Sequence, residues 1–354
     1  MKALQSLLNT HHMTSRLTRP ARHPRGLTLL ELLLVVLILS MIAFSAVSLT
    51  DNLDSQLRYD DTRLKLDQIR SGVAGSTGAV FDGQQRLTGF VSDMGRLPLS
   101  INELAASAVS FGVVAPVFDA DPASTGLNNG GAETALTGLS ERLLKGVRGP
   151  YVPLKASLTG TPLFRDGWGT VNASSVDDAA NHGWAVTTGS GVLTVTSLGA
   201  DGTAGDSGVT PFDPDLTGLV VLSDWTTNID GWQIQVRKAS GSLSNVRASL
   251  LVFMDGAWQR FTTSPAVTID DADPAETLTF NSTVANWPND GSAAIVRVPI
   301  GEALLVLVSD TDAAIHNGET ALDSDGVTAG LQPISKRVSF FPRTELPTVL
   351  MVVP

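Results

Sequence analysis

The sequence predicts an α+β protein: one long N-terminal helix, a globular body, and an all-β region at the C-terminal end. Three observations carry this. Residues 27–49 hold a single charge, Glu31, in an otherwise uncharged and mostly aliphatic run. From Asp51 to about Val73, leucine, isoleucine and valine recur at helical spacing. Beyond residue 230, short alternating apolar runs are bounded by Gly, Pro, Asn and Asp, the pattern of strands and turns.

As a helix the first run would measure about 35 Å, enough for a hydrocarbon core of about 30 Å. Five of the 24 Lys and Arg precede it (Lys2, Arg16, Arg19, Arg22 and Arg25), with no acid among them, and all 35 Asp and Glu lie beyond residue 26. Basic residues stay on the cytoplasmic side, so a single pass with the bulk of the chain exported is expected. A cleaved secretory signal fits poorly, because its apolar run is about 7–15 residues. The acidic bulk gives no footing for a phosphate backbone, so no nucleic-acid partner is expected. With no cysteine, disulfides and Cys-ligated metals are excluded, and a hard cation such as calcium is the metal class left open. Glu31 itself is an anomaly. A carboxylate inside a membrane carries a penalty of ~2.5–3.5 kcal/mol at mid-helix and less near an end, so a neutralising partner is expected. The plainer alternative is an anchor whose Glu31 snorkels to the headgroups.

Gly26-Leu27-Thr28-Leu29-Leu30-Glu31-Leu32, after a basic leader and before the apolar run, resembles the leader junction of type IV pilins and type II secretion pseudopilins. The resemblance implies that a prepilin peptidase cuts after Gly26 and methylates the new amine of Leu27. It implies that Glu31 then pairs with the amine of a neighbouring subunit, offsetting the burial of both charges. The implied partners are that peptidase, other pilin or pseudopilin subunits and an inner-membrane assembly platform. The implied location is the inner membrane, single pass, with the C-terminal bulk periplasmic or in an extracytoplasmic filament. Leucine after the cut is less usual in the family than phenylalanine, and the leader is long, with His11 and His12 read as extension rather than a metal site.

In the helix beyond the membrane run, Leu53, Leu57 and Leu64 form one stripe and Leu66, Ile69 and Val73 another, nearly opposite. Two stripes need two partners, ordinarily a core on one side and solvent on the other. For a pilin-like subunit the resemblance implies a globular sheet on one side and neighbouring subunits on the other. Gly72, Gly75 and Gly78 are expected to end the helix. Three further pieces occur in an order similar to that of the major pseudopilin of type II secretion. They are Asp93-Met94-Gly95-Arg96-Leu97-Pro98 followed by Leu104, then Gly149-Pro150-Tyr151-Val152-Pro153 with Asp166-Gly167-Trp168-Gly169, then Ser197-Leu198-Gly199-Ala200-Asp201-Gly202. The resemblance implies a pilin-like fold, with the helix packed on a small antiparallel sheet. The D-G-W-G unit reads as a structural turn with Trp168 plugging a small core. Val192, Thr194 and Thr196 alternate with Leu193 and Val195 as in a strand. Residues 105–148 and 171–190, rich in small residues, read as insertions, the first with a mobile acidic tract at Asp119–Pro122.

Asp201, Asp206, Asp213 and Asp215 fall within fifteen residues of a Gly-rich segment. Calcium takes about 6–8 oxygens on a bent loop. The resemblance implies a structural calcium ion held by Ser197, Leu198, Asp201, Asp213 and Asp215; on composition alone, a metal-free acidic loop is the better reading. The second limb is longer than the family's, and Pro211 and Pro214 interrupt it. The turns at Asp310–Asp312 and Asp323–Gly326 lack EF-hand spacing and read as solvated.

The expected domains are a leader at 1–26, a transmembrane and assembly helix at 27–50, a pseudopilin-like body at 51–230 and an immunoglobulin-like β-sandwich at 231–354. Strands are expected around Val246–Phe253, Trp258–Phe261, 294–299, 303–308, 337–341 and 347–353, with Asp255-Gly256 as a hairpin turn. Trp232, Trp258 and Trp287 are expected in the core. The functional expectation is a pseudopilin or minor pilin of a type II secretion or type IV pilus machine, engaged in protein transport by assembly rather than catalysis. The alternative is an adhesin or cargo-binding module that uses the same anchor to present the sandwich. No enzyme is expected: past the leader only His182 and His316 remain, neither near a nucleophile motif such as G-x-S-x-G.

Overall fold

The computed structural model describes residues 28–75, 80–81, 84–85, 87–105, 143, 145–156, 162–205, 208, 210–254, 257–263, 265–271, 275–281, 297–309, 320–322 and 334–354. The chain is α+β, and it divides into two compact units, Met1–Leu53 and Asp54–Pro354. Helix α1 runs from Leu29 to Ala74. No Gly or Pro interrupts residues 29–71, and aliphatic residues with high helix propensity dominate the first half. Every described side chain from Thr28 to Val47 is exposed, and α1 is long and apolar enough to cross a membrane.

Past residue 53 the composition of α1 changes. Asp54 pairs with Arg58 at 2.8 Å and Asp61 with Lys65, both with the acid four residues N-terminal, the orientation that favours a helix. Ile69 and Val73 are buried while Leu57 and Leu64 are exposed, so the two apolar stripes have different fates. Glycine makes the seat close. A Cβ on Gly167 would stand 2.1 Å from the Arg58 carbonyl oxygen, and its N–H donates to Thr62 Oγ1 at 3.0 Å. Gly72 lies inside the helix, where a Cβ would meet the Tyr151 carbonyl oxygen at 2.7 Å. The helix ends at Gly75, left-handed at φ 82°, whose N–H returns to Ser71. Gly78 lies outside the described residues.

After two two-residue strands, β1 (Val80–Phe81) and β2 (Gln84–Gln85), the body holds α2 (Phe90–Met94), α3 (Ile101–Ala105) and the ladder of β3 (Lys155–Ala156) with β4 (Pro162–Leu163). Next come α4 (Ser175–Asn181) and the antiparallel sheet β5 (Ala185–Gly189), β6 (Val192–Ser197) and β7 (Leu216–Val220), then α5 (Leu222–Trp225). Leu193 and Val195 of β6 join Ile69, Val73, Phe90, Ile101, Leu104 and Trp184 in one core. Residues 171–190, read as an insertion, hold regular structure: Ser174 caps α4 by accepting the Asp177 N–H, and the segment continues into β5. One expectation needs correcting: Trp168 is not the core tryptophan. It is half-buried against Phe212, and the fully buried one is Trp184, stacked 6.3 Å from Phe164 with its indole N–H on the Phe164 carbonyl.

The C-terminal region is mostly β. Strands β8 (Thr226–Asn228), β9 (Gln233–Lys238), β10 (Leu243–Met254), β11 (Ala257–Thr262), β12 (Val267–Ile269), β13 (Glu276–Thr279), β14 (Arg297–Pro299), β15 (Gly301–Ser309), β16 (Thr320–Ala321), β17 (Ser335–Phe340) and β18 (Val349–Val353) follow in order. β10 and β15 lie side by side in a six-stranded sheet with β11, β12, β16 and β17. β9 lies between β13 and β18 in a second sheet, parallel to β18. One apolar core takes Ile234, Val236, Met351 and Val353 from the second sheet and Val246, Leu250, Phe261, Leu305 and Leu307 from the first. The expected alternation in β10 covers only half of its burial. Arg247, Ser249 and Leu251, on its other face, are buried too. Trp232 and Trp258 are buried; Asp255-Gly256 and Trp287 lie outside the described residues, as do the acidic tract of the first insertion and the turns at 310–312 and 323–326.

Body and β region meet closely. Ile300, between β14 and β15, lies in the body's core, and Thr227 Oγ1 donates to the Phe341 carbonyl at 2.6 Å. The buried Asp224 of α5 receives Arg70 of α1 at 3.3 Å and Arg343 from the turn after β17. Leu143 is buried among Leu251, Trp258, Leu304 and Val306. Two residues on, Lys145 donates to the Ser92 carbonyl at 2.9 Å. Burial, opposed by Asp93 and Glu302 and aided by Arg148, lowers the Lys145 pKa to about 8. Gly95 is left-handed at φ 66°, and a Cβ there would stand 2.1 Å from the Phe253 carbonyl oxygen. Gly202 has a similar φ of 64° with nothing within 4 Å. Gly202→Ala should therefore lose only the left-handed penalty of about 1–2 kcal/mol. Gly95→Ala should lose a further 1–3 kcal/mol or so through overpacking at the joint. Paired thermal melts measure the difference, and equal losses would mean that the joint yields without strain.

Candidate functional site

The head of α1 is built by its first four residues. Thr28 N–H and Oγ1 reach Glu31 Oε2 at 2.9 and 3.2 Å, and Glu31 N–H reaches Thr28 Oγ1 at 3.3 Å. This is a capping box, T-x-x-E, satisfying helix donors that would otherwise face an apolar medium. The first-turn acid also favours the positive end of the helix dipole. Glu31 thus has a hydrogen-bond partner in its own chain, and Thr28-Leu29-Leu30-Glu31 carries the signature of that cap. Only one carboxylate oxygen is used; Oε1 accepts nothing among the described residues. Gly26 and Leu27 lie outside the described residues.

The acidic loop follows β6. Ser197 is fully buried, and its hydroxyl donates to Asp166 Oδ2 at 2.6 Å. Asp166, the first residue of D-G-W-G, also accepts the Thr170 N–H and hydroxyl at 3.0 Å each, so this turn anchors the loop's start. The limbs close through Ala200 N–H on the Phe212 carbonyl at 3.0 Å. A Cβ on Gly199 would come within 2.1 Å of the Asp213 carbonyl oxygen, so the approach requires glycine. Asp213 is buried and accepts the Thr210 N–H at 2.6 Å; Asp201 is exposed and accepts the Thr203 N–H at 2.9 Å. Asp215 Oδ2 accepts the Gly205 N–H at 3.0 Å, whereas its Oδ1 is buried with no hydrogen-bond partner among the described residues. Leu198 is partly buried beside Gly199, and Asp206 lies outside the described residues.

Among the described residues no three His, Cys, Asp or Glu side chains converge as a metal cluster. The loop thus brings Asp213 against the Ser197–Gly199 limb and Asp215 against Gly205, and leaves Asp201 at the surface. For calcium, the oxygen-only donors, the bent glycine backbone and the uncompensated Asp215 oxygen fit, because a buried carboxylate oxygen without a donor is costly unless a cation meets it.

The D-M-G-R segment serves structure. Asp93 is buried and accepts Arg148 and the Tyr151 hydroxyl, the latter at 2.8 Å. Burial, reinforced by Asp93, pushes the Tyr151 phenol above the range in which it titrates in water. Arg96 forks onto Glu103 at 2.8 and 3.0 Å and stacks 5.3 Å from the Phe90 ring centre. His182, one of the two histidines beyond the leader, closes α4 at φ 53° and accepts the Phe164 N–H on Nδ1 at 2.9 Å.

Comparison with family models, with curated proteins and with solved structures returned no match.

Burial and, secondarily, the adjacent Arg165 hold the His182 pKa below its ordinary value of 6.5 against the opposing pull of Asp178. The folded state therefore prefers neutral imidazole, whose Nδ1 is free to accept. Its contribution is complete above pH 6.5 and is lost as pH falls through the lowered folded value. Denaturant titrations between pH 7 and 5 should show a loss of stability that His182→Gln removes. A variant that loses stability in parallel with the parent protein would exclude His182 as the source.

Proposed function

We propose that this chain is a pseudopilin or minor pilin subunit of a type II secretion or type IV pilus machine. In this reading prepilin peptidase cuts after Gly26 and methylates Leu27. The chain sits in the inner membrane with its body in the periplasm, then enters a filament through α1 with the help of an assembly platform. The observation that carries the reading is Glu31: a carboxylate in the first turn of an apolar helix whose described side chains are all exposed up to Val47. An exposed aliphatic helix of this length needs a bilayer or other helices around it. The unused Oε1 gives the methylated amine of a neighbour a place to bind while the other oxygen keeps the cap. Leu57 and Leu64, exposed on the face of α1 away from Ile69 and Val73, supply a second helix-side contact between subunits.

The work is assembly and display rather than catalysis. We read the two sheets with their shared core as an immunoglobulin-like sandwich. Its close mounting on the body favours, as a second reading, an adhesin or cargo-binding head held in fixed orientation. In either case the acidic loop holds calcium through Asp215, with Asp201, Asp213 and the backbone of Ser197 and Leu198 completing the oxygen set. The ion's contribution would be to tie the two limbs together.

Glu31→Ala should leave membrane insertion intact and abolish incorporation into filaments, read by cross-linking to neighbouring subunits; undiminished incorporation would overturn the pairing role. Calcium should raise the melting temperature, a chelator should lower it, and Asp215→Asn should remove the response. A melt indifferent to both additions would rule out a structural ion.

A further inference from the structure

Among the described residues β18 is the edge strand of its sheet and pairs only with β9. Ala239 N–H donates to the Val353 carbonyl at 2.8 Å, which fixes the side that Val353 turns to β9. Within a strand the N–H and C=O of one residue point the same way, and successive residues point opposite ways. Val349, Met351 and Val353 therefore bond to β9, and Leu350 and Val352 direct their four backbone groups to the outer edge. Among the described residues nothing meets those groups. Their side chains are also open, Leu350 52% exposed and Val352 46%. Edge strands are normally guarded by a charge, a proline or a bulge, and Val349–Val353 has none of them.

We propose that β18 is a self-pairing edge that adds antiparallel to β18 of a second copy, about a two-fold axis through Met351. Register allows a second copy to use the whole open edge. Antiparallel strands exchange both hydrogen bonds only between facing residues that point at each other. With the axis at Met351, Leu350 faces Val352 of the second copy and Val352 faces its Leu350, so all four open groups on each strand are used. A two-residue shift sets Leu350 or Val352 opposite itself and leaves one such pair. The same register lays the exposed Leu350 and Val352 side chains against each other on the outer face and extends the core beside Val349, Met351 and Val353, as an isologous contact requires. On the outer face the neighbouring β9 residues are Gln235 beside Leu350 and Arg237 beside Val352, so no acid opposes the approach. A five-residue strand pair falls short of the ~1,200 Å² of a stable interface. It therefore acts between copies already concentrated in one membrane or filament, and to that extent the inference rests on the reading above.

The chain's lack of cysteine makes the register directly measurable. Full-length Leu350→Cys and Val352→Cys chains with different tags are reconstituted together in phospholipid vesicles and oxidised. Facing residues in such a pair have Cα atoms about 5.5 Å apart, within disulfide range, whereas a residue and its own copy are offset beyond about 7 Å. A mixed 350–352 disulfide should form in several-fold excess over the homodisulfide of either variant alone. A mixed yield no greater than the single-variant yields overturns the pairing. As a second readout, the Leu350 and Val352 amides of the unsubstituted chain should gain hydrogen-exchange protection as the protein-to-lipid ratio rises, and unchanged exchange contradicts the proposal. Neither measurement needs filament machinery, so a mixed disulfide alongside a failed Glu31→Ala assembly test would retain the edge contact and discard only the filament.

Discussion

The contact on which most of this structure depends is backbone against backbone, where the D-G-W-G turn meets α1. Gly167 approaches Arg58 so closely that no side chain fits, and its N–H is held by Thr62. Asp166, one residue earlier, fastens Thr170 and the buried Ser197 hydroxyl, so the same turn seats the helix and starts the acidic loop. The loop's limbs close in turn through Gly199 against Asp213. The helix face, the turn and the loop are thus a single chain of short contacts. The exposure of Leu57 and Leu64 follows from it, because the seat commits Thr62, Ile69 and Val73 inward.

A second set of contacts mounts the β region on the body. The contributing residues are scattered in sequence: Gly95 beside Phe253, Ile300 in the body's core, Asp224 between two arginines, and Leu143 with Lys145 near the end of the first insertion. A buried carboxylate shared by two arginines is strongly destabilising to break from one side, because it leaves an uncompensated charge. The β region is therefore one compact unit with the body. For a subunit that assembles through its helix, such a mounting would present the C-terminal surface, including the open edge of β18, in a set orientation.

Local pattern was the part of this architecture legible in the sequence. The apolar run, the two stripes of α1, the alternation of β6 and the approximate places of β10, β11, β15, β17 and β18 all follow from periodicity. Three things escaped for physical reasons. The two central strands β10 and β15 bury both faces, so one-sided alternation described half of their environment. Small-residue composition concealed α4 and β5, although Ser174 and Asp177 carried a capping signal. The long-range pairs Asp93 with Arg148, Asp166 with Ser197, and Asp224 with Arg70 and Arg343 join residues 31 to 154 positions apart, and no spacing rule finds these. At the candidate site, Glu31 was legible as an anomaly and the aspartates of the loop as a cluster. That Asp215, among the described aspartates of the loop, keeps a buried oxygen without a donor is a property of the folded loop.

The proposed function stands on the run beginning at Leu27 being a processed assembly helix, with Glu31 placed for an amine that cleavage creates. The most direct test is the intact mass of the chain purified from membranes that contain prepilin peptidase, compared with the same chain made without it. The expected mass is that of residues 27–354 plus one methyl group in the first case and of the uncut chain in the second. An uncut chain in both, or a cut at any bond other than Gly26–Leu27, would contradict it.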